Sequence, residues 1–283
     1  MEYLNPSPVA ALPHTMWLVY RAVMERPRVS ADTLLDLLVP EVIRAKTPAD
    51  GGHVKVALAR LRRLELISAH NDELEAAPVA DVEAFLRQLR HRIVQPAGTF
   101  GPTFDGADDI RKGLIWLMRE SPANALDYEA DVATRTSVFV NGTRWNTFRI
   151  WCDALGFGQA ALSVMAKNNA GNRIVPNPTR AVTDAIAHPF GEALPRGEQL
   201  PINRLVEFLR QELPVLPGHP SATFEGLNED EGNALRVIGL ALTTAEELDV
   251  LTLEYQSDPS GVMALPDAQH GETRYVSTVT IRK

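Results

Sequence analysis

Four cationic side chains, Lys55, Arg60, Arg62 and Arg63, fall within nine residues. Grouped cations of this kind neutralise phosphates and release their condensed counterions. A second polar set, Arg144, Asn146 and Arg149, has the side-chain types that bond base edges in bidentate fashion. Lys167 opens a third candidate, the loop 167–172, whose KNNAGN sequence has turn chemistry and could reach a minor groove or a phosphate. Each set also has a plainer reading. The first fits a solvated helix face or a protein contact, the second ordinary surface polarity, and the third a plain surface hairpin.

The residues that would make a catalyst do not assemble. The sequence has no G-x-x-x-x-G-K-[ST], H-E-x-x-H or G-x-S-x-G. The seven histidines are scattered. A single cysteine, Cys152, can build neither a disulfide framework nor a zinc site. It falls on an apolar helix face, which suits a core thiol better than a nucleophile. Asp105, Asp108 and Asp109 lack calcium-loop spacing, whereas Asp108 and Asp109 suit a helix N-terminus. The expectation is a chain with no catalytic residues, no metal and no cofactor.

The elements that must position the cations follow from apolar periodicity. The spacing of Val54, Ala57, Leu58, Leu61 and Leu64 predicts a helix over 51–64, with Lys55, Arg62 and Arg63 on the side away from the stripe. Leu66–Ala69, a turn at 70–72 and Leu74–Ala77 then read as a hairpin. Two helices precede it. Residues 15–26 carry Met16, Val19, Tyr20 and Val23 inward and end at Pro27. A second helix is capped by Ser30, carries Leu34, Leu35 and Leu38 inward, and stops at Pro40. Three helices and a hairpin are the pattern of a winged helix. A helix over 79–94 follows, with Val82, Phe85, Leu86 and Leu89 as its stripe and Arg87, Arg90 and Arg92 outside it. Residues 95–106, rich in Pro and Gly, read as a linker.

The pattern recurs. A helix is expected at 108–120, partial helix at 125–140, and a helix at 144–155 capped by Asn141 or Thr143. The last gathers Trp145, Phe148, Trp151, Cys152 and Leu155 on its core side and stops at Gly156. Strands at 160–166 and 173–175 follow. Further on, helices are expected at 179–187, 202–213 and 229–248. Strands at 250–255 and 261–265 would turn around 256–260, and 275–281 would close the set. The expected fold is α+β, mostly α, built of tandem winged-helix domains. The blocks are 1–98, 99–178 and 179–283, the last a helical domain with a hairpin or a third winged helix.

The chain of 283 residues has a net charge of −8, unevenly spread. Residues 1–98 hold 12 basic and 12 acidic side chains, residues 99–195 hold 9 and 10, and residues 196–283 hold 7 and 14. Attraction to phosphate must come from the first two thirds. No apolar window suits a membrane span, and MEYLNPSPVAALPH lacks the basic and apolar regions of a signal peptide. A cytoplasmic protein is expected.

Several phrases occur together and in order. They are FGPTFDG at 100–106, RW at 144–145 with Phe148 and Trp151, LGFG at 155–158, PNPTRA at 176–181 and LEYQSD at 253–258. In this order they resemble the DpdG proteins, which accompany bacterial 7-deazaguanine DNA-modification and restriction loci. The resemblance implies a role in a DNA-directed modification or defence complex and supplies no active-site residues. The combined expectation is a non-catalytic accessory subunit. It would bind double-stranded DNA through Lys55, Arg60, Arg62, Arg63, Arg144, Asn146, Arg149 and Lys167, alongside other protein subunits. The alternatives are a scaffold whose winged helices meet only proteins, and a transcription regulator, which would dimerise on a palindromic site.

Overall fold

The computed structural model describes residues 2–7, 9–44, 51–162, 172–227, 231–256, 261–266 and 273–282. About 46% of the chain is helical and the strands form small antiparallel sheets, so the fold is α+β. The chain divides into two compact units, residues 1–111 with 141–154, and residues 112–140 with 155–283. The expected block 99–178 is thus shared between the two.

In the first unit, α1 (Pro13–Glu25) starts at a proline, whose missing N–H costs nothing there. Met16, Val19, Tyr20 and Val23 are all buried. Strand β1 (Val29–Ser30) runs into α2 (Ala31–Leu38), where the Ser30 hydroxyl accepts from the Thr33 N–H at 3.2 Å as an N-cap. Of the expected α2 stripe, Leu34 is buried while Leu35 and Leu38 are half-buried. After α3 (Glu41–Arg44), Gly51 takes a left-handed φ of 67° and starts α4 (Gly52–Arg63). The left-handed φ favours glycine here, and a Cβ on Gly51 would also lie 2.7 Å from Leu35 Cδ2, which would have to move aside.

Val54, Ala57, Leu58 and Leu61 of α4 are buried. Strands β2 (Ile67–His70) and β3 (Glu73–Ala76) form the hairpin, turning through Asn71 and Asp72 at φ 49° and 65°. The sheet order is β1-β3-β2. The Tyr20 hydroxyl donates to Ala77 O at 2.6 Å and fixes the end of β3 to α1.

Helix α5 (Val82–Val94) is capped by Asp81, which accepts from Ala84 N at 2.7 Å. Phe85 packs against Tyr20 and Trp17. Two expectations fail on this helix. Val82 is 38% exposed, and Arg90, expected outside the stripe, is 5% exposed. The buried face of α5 is wider than its apolar stripe and takes in the arginine.

The segment 95–106 is not a loose linker. Gly98 N donates to Phe104 O at 2.8 Å, and Phe104 is 1% exposed, edge-on to Phe100. The Arg92 guanidinium lies 3.9 Å from the Phe100 ring centroid. Two aromatics give this loop a small core of its own. Helix α6 (Asp108–Leu117) begins in this unit. Past α7 (Ala133–Arg135) of the second unit, α8 (Gly142–Ala154) returns to the first. Trp145, Phe148, Trp151 and Cys152 are buried, and Trp151 Nε1 donates to Ala11 O at 2.9 Å. Asn141 caps α8 by accepting from Arg144 N at 3.0 Å.

In the second unit, a π-helical turn over Tyr128–Val132 leads into α7. Strands β4 (Gly158–Ala160) and β5 (Ile174–Pro176) pair antiparallel. The strand expected at 160–166 therefore starts earlier, and its part beyond 162 lies outside the described residues. Helix α9 (Thr179–Ala187) leads to β6 (Gln199–Pro201) and α10 (Ile202–Glu212). The next elements are α11 (Glu231–Glu247), β7 (Leu251–Glu254), β8 (Met263–Pro266), β9 (Thr273–Val276) and β10 (Thr278–Ile281).

Here too the pairing differs from expectation. β7 and β8 do not pair with each other: β7 pairs with β10 and β8 with β9. The single closing strand is two, parted at buried Ser277, whose N–H donates to Glu254 O and whose hydroxyl accepts from Gln256 N. The sheet order β6-β10-β7 repeats that of the first unit, with its first strand again leading directly into a helix.

Candidate nucleic-acid interface

Helix α4 carries its cations where its apolar stripe leaves them. Lys55 and Arg62 are exposed and seven residues apart, two turns along one side of the helix. Arg63 is exposed beside them, but its Nη1 lies 2.8 Å from Asp105 Oδ2. Arg60, Arg62 and Arg63 all fall in the last turn, where cations also stabilise the helix C-terminus.

Arg60 is turned inward. Its Nη2 donates to Glu2 O at 2.6 Å, and its guanidinium lies 4.7 Å from the Tyr3 ring centroid. Burial lowers its pKa from the usual arginine value, opposed by Tyr3 and Asp109. Tyr3 and Leu4 are each 1% exposed. Leu4 N donates to Asp109 Oδ2 at 2.7 Å. Burial holds the Asp109 carboxyl above the ordinary range, against the backbone N–H groups that pull it down. The N-terminal segment is thus a built part of this unit.

On α8, Arg144 is half-buried and its Nη2 lies 2.5 Å from Glu2 Oε2. Glu2 therefore holds Arg60 through its carbonyl and Arg144 through its carboxylate. This brings together two cations that are far apart in sequence. Asn146 is exposed, but its Oδ1 accepts from Arg149 Nη2 at 2.9 Å, and Arg149 is half-buried. The amide and guanidinium that looked suited to base edges bond each other. Lys167 lies outside the described residues.

Sequence reasoning missed the acids that pair with these cations, Glu2 and Asp105, and the exposed hairpin acids Asp72, Glu73 and Glu75, of which Glu73 lies 3.9 Å from Arg28. The Arg63–Asp105 pair spans 42 positions, so no helical spacing rule could expose it. The sign of the hairpin was legible, since three carboxylates fall within residues 72–75.

A different concavity lies in the second unit, a cleft of about 690 Å³ along α10. There Arg210 Nε donates to Pro217 O at 2.8 Å, and the guanidinium lies over Gly218, where a Cβ would fall 2.2 Å from it. Among the described residues, no group of three or more His, Cys, Asp or Glu is placed to hold a metal, and no helix is long and apolar enough to cross a membrane.

A family model described as DpdG-like matches residues 1–259. Comparisons with curated proteins and with solved structures find no match.

Proposed function

The chain belongs to the DpdG-like family, and on that premise we propose that it is a non-catalytic, DNA-binding accessory subunit of a bacterial DNA-modification or defence system. The family supports a link to 7-deazaguanine DNA-modification loci. The first unit supports the mode of binding. Its order α1-β1-α2-α3-α4-β2-β3, with sheet order β1-β3-β2, supports a winged-helix reading, in which α4 would take the recognition position. The observation that carries the reading is the exposed Lys55, Arg62 and Arg63 on α4.

The mode would be narrow. The wing is acidic at Asp72, Glu73 and Glu75, so it repels the phosphates a basic wing would grip. Contact then rests on α4 and a few phosphates. Fluorescence anisotropy on a duplex across a salt series tests this. Two to three phosphate contacts give a log–log slope of about −2 to −3, and Lys55→Ala/Arg62→Ala/Arg63→Ala should flatten it by about 2–3. Its melting temperature should stay close to wild type, because exposed charges contribute little to stability. Equal slopes for the two proteins would move the interface away from α4.

The same acidic wing favours a second reading, a scaffold that meets a basic partner protein through this unit. The absence of DNA binding at low salt, with partner subunits still co-purifying, would select it.

A further inference from the structure

The loop 95–106 has a small core of its own, and what it delivers to the surface is a carboxylate. Phe104 is buried, Phe100 packs edge-to-face against it, and Arg92 covers Phe100. Gly98 N closes the loop on Phe104 O. Gly106 takes a φ of 65°, and a Cβ there would lie 3.4 Å from Gln95 O, so the loop's two ends run close together. Asp105 stands between the buried Phe104 and this turn, with its Oδ2 at 2.8 Å from Arg63 Nη1. Its side chain is still 57% exposed and that of Arg63 45% exposed. A flexible surface pair would owe its geometry to chance, whereas this carboxylate is held in place by the loop beneath it.

We propose that Asp105 is a built-in competitor for phosphate: it occupies Arg63 on α4, holds DNA affinity down, and is displaced when phosphate takes over its bond to Arg63. This rests on the DNA reading given above. The physical reason is exchange. Asp105 bonds one Nη of a guanidinium that has other N–H donors, so a phosphate either takes that bond over or binds beside it, and in both cases the net gain is smaller than at an unpaired arginine. The negative charge of Asp105 also stays beside the incoming phosphate.

The experiment is a double-mutant cycle on the full chain, read by anisotropy with one duplex over a salt series. Asp105→Asn should tighten binding several-fold and steepen the salt slope by about one contact, near −0.9. In an Arg63→Ala background the same substitution should give little gain. Asp72→Asn, which removes a hairpin charge that makes no ion pair among the described residues, controls for the general field. Circular dichroism establishes that each variant is folded.

Equal affinity for Asp105→Asn and wild type, with wild type binding DNA, would overturn the competitor and leave the DNA reading standing. An equal gain with and without Arg63 would overturn it too, by showing a field effect alone. No binding by either protein at low salt would overturn both readings.

Discussion

At the residue scale, what a side chain does here depends on its partners more than on its type. Of the arginines on α4, α5 and α8, Arg62 and Arg63 reach the surface as the helical stripe implied. Arg90 is buried, Arg92 covers Phe100, Arg60 lies on Tyr3 and Arg144 pairs with Glu2. The aromatic set was legible, because Trp145, Phe148 and Trp151 share one helical face and that face is the core. His91 shows an effect of burial on titration. Packed against Phe100 beside Arg92, it is pushed down to about 4, mainly by burial and then by the arginine. Its unfolded value is near 6.5, so the unfolded chain takes up the proton first as pH falls. The stability this group contributes is present above pH 6.5 and is lost as pH falls toward 4. Urea unfolding at pH 7 and pH 4.5 should show a smaller acid loss for His91→Gln than for wild type. An unchanged pH dependence would mean that His91 does not carry it.

At the element scale, local rules succeeded where the signal was local. The stripes of α1, α4, α8 and α10 and the caps at Ser30 and Asn141 are visible in the sequence, because helix burial repeats every three to four residues. The strand partners in the second unit were not. β7 and β8 alternate in the way a hairpin does, yet β7 pairs with β10, 24 residues away at the Glu254–Thr278 match. Nothing in alternation specifies which strand is the partner. On β9, Arg274 reaches back to Glu246 at the end of α11 and also donates to Leu253 O at 2.8 Å. Burial would raise the Glu246 carboxyl, but the Arg274 and Leu253 hydrogen bonds outweigh it and hold it below the usual range. The entry of α4 gives a sharper test. Gly51 combines a φ of 67° with a Cβ position 2.7 Å from Leu35. Gly51→Ala should therefore destabilise the protein by about 1–3 kcal/mol, the cost of a non-glycine residue in the left-handed region. A melting temperature equal to wild type would show that the turn relaxes without strain.

At the scale of the whole molecule, the charge distribution sets the conditions for any encounter with DNA. Residues 196–283 hold 7 basic and 14 acidic side chains, while residues 1–98 are balanced at 12 and 12. The cations of α4 thus act locally, within a chain whose net charge of −8 repels the duplex. Salt separates the two effects. At physiological ionic strength the screening length is about 8 Å, so only charges near α4 are felt by a phosphate. At 0.01 M it grows to about 30 Å, so more distant acids also contribute. Counterion release favours binding as salt falls, with a slope of about −0.9 per contact, while the growing reach of the acidic third opposes it. The log–log plot of affinity against salt should be straight above about 0.1 M and should flatten toward 0.01 M. Neutralising α4 should remove the straight part and leave the low-salt repulsion. A wild-type plot that stays straight to 0.01 M would show that the acidic third exerts no field at α4, and any weakness of the proposed binding would then trace to the acidic hairpin and to Asp105 alone.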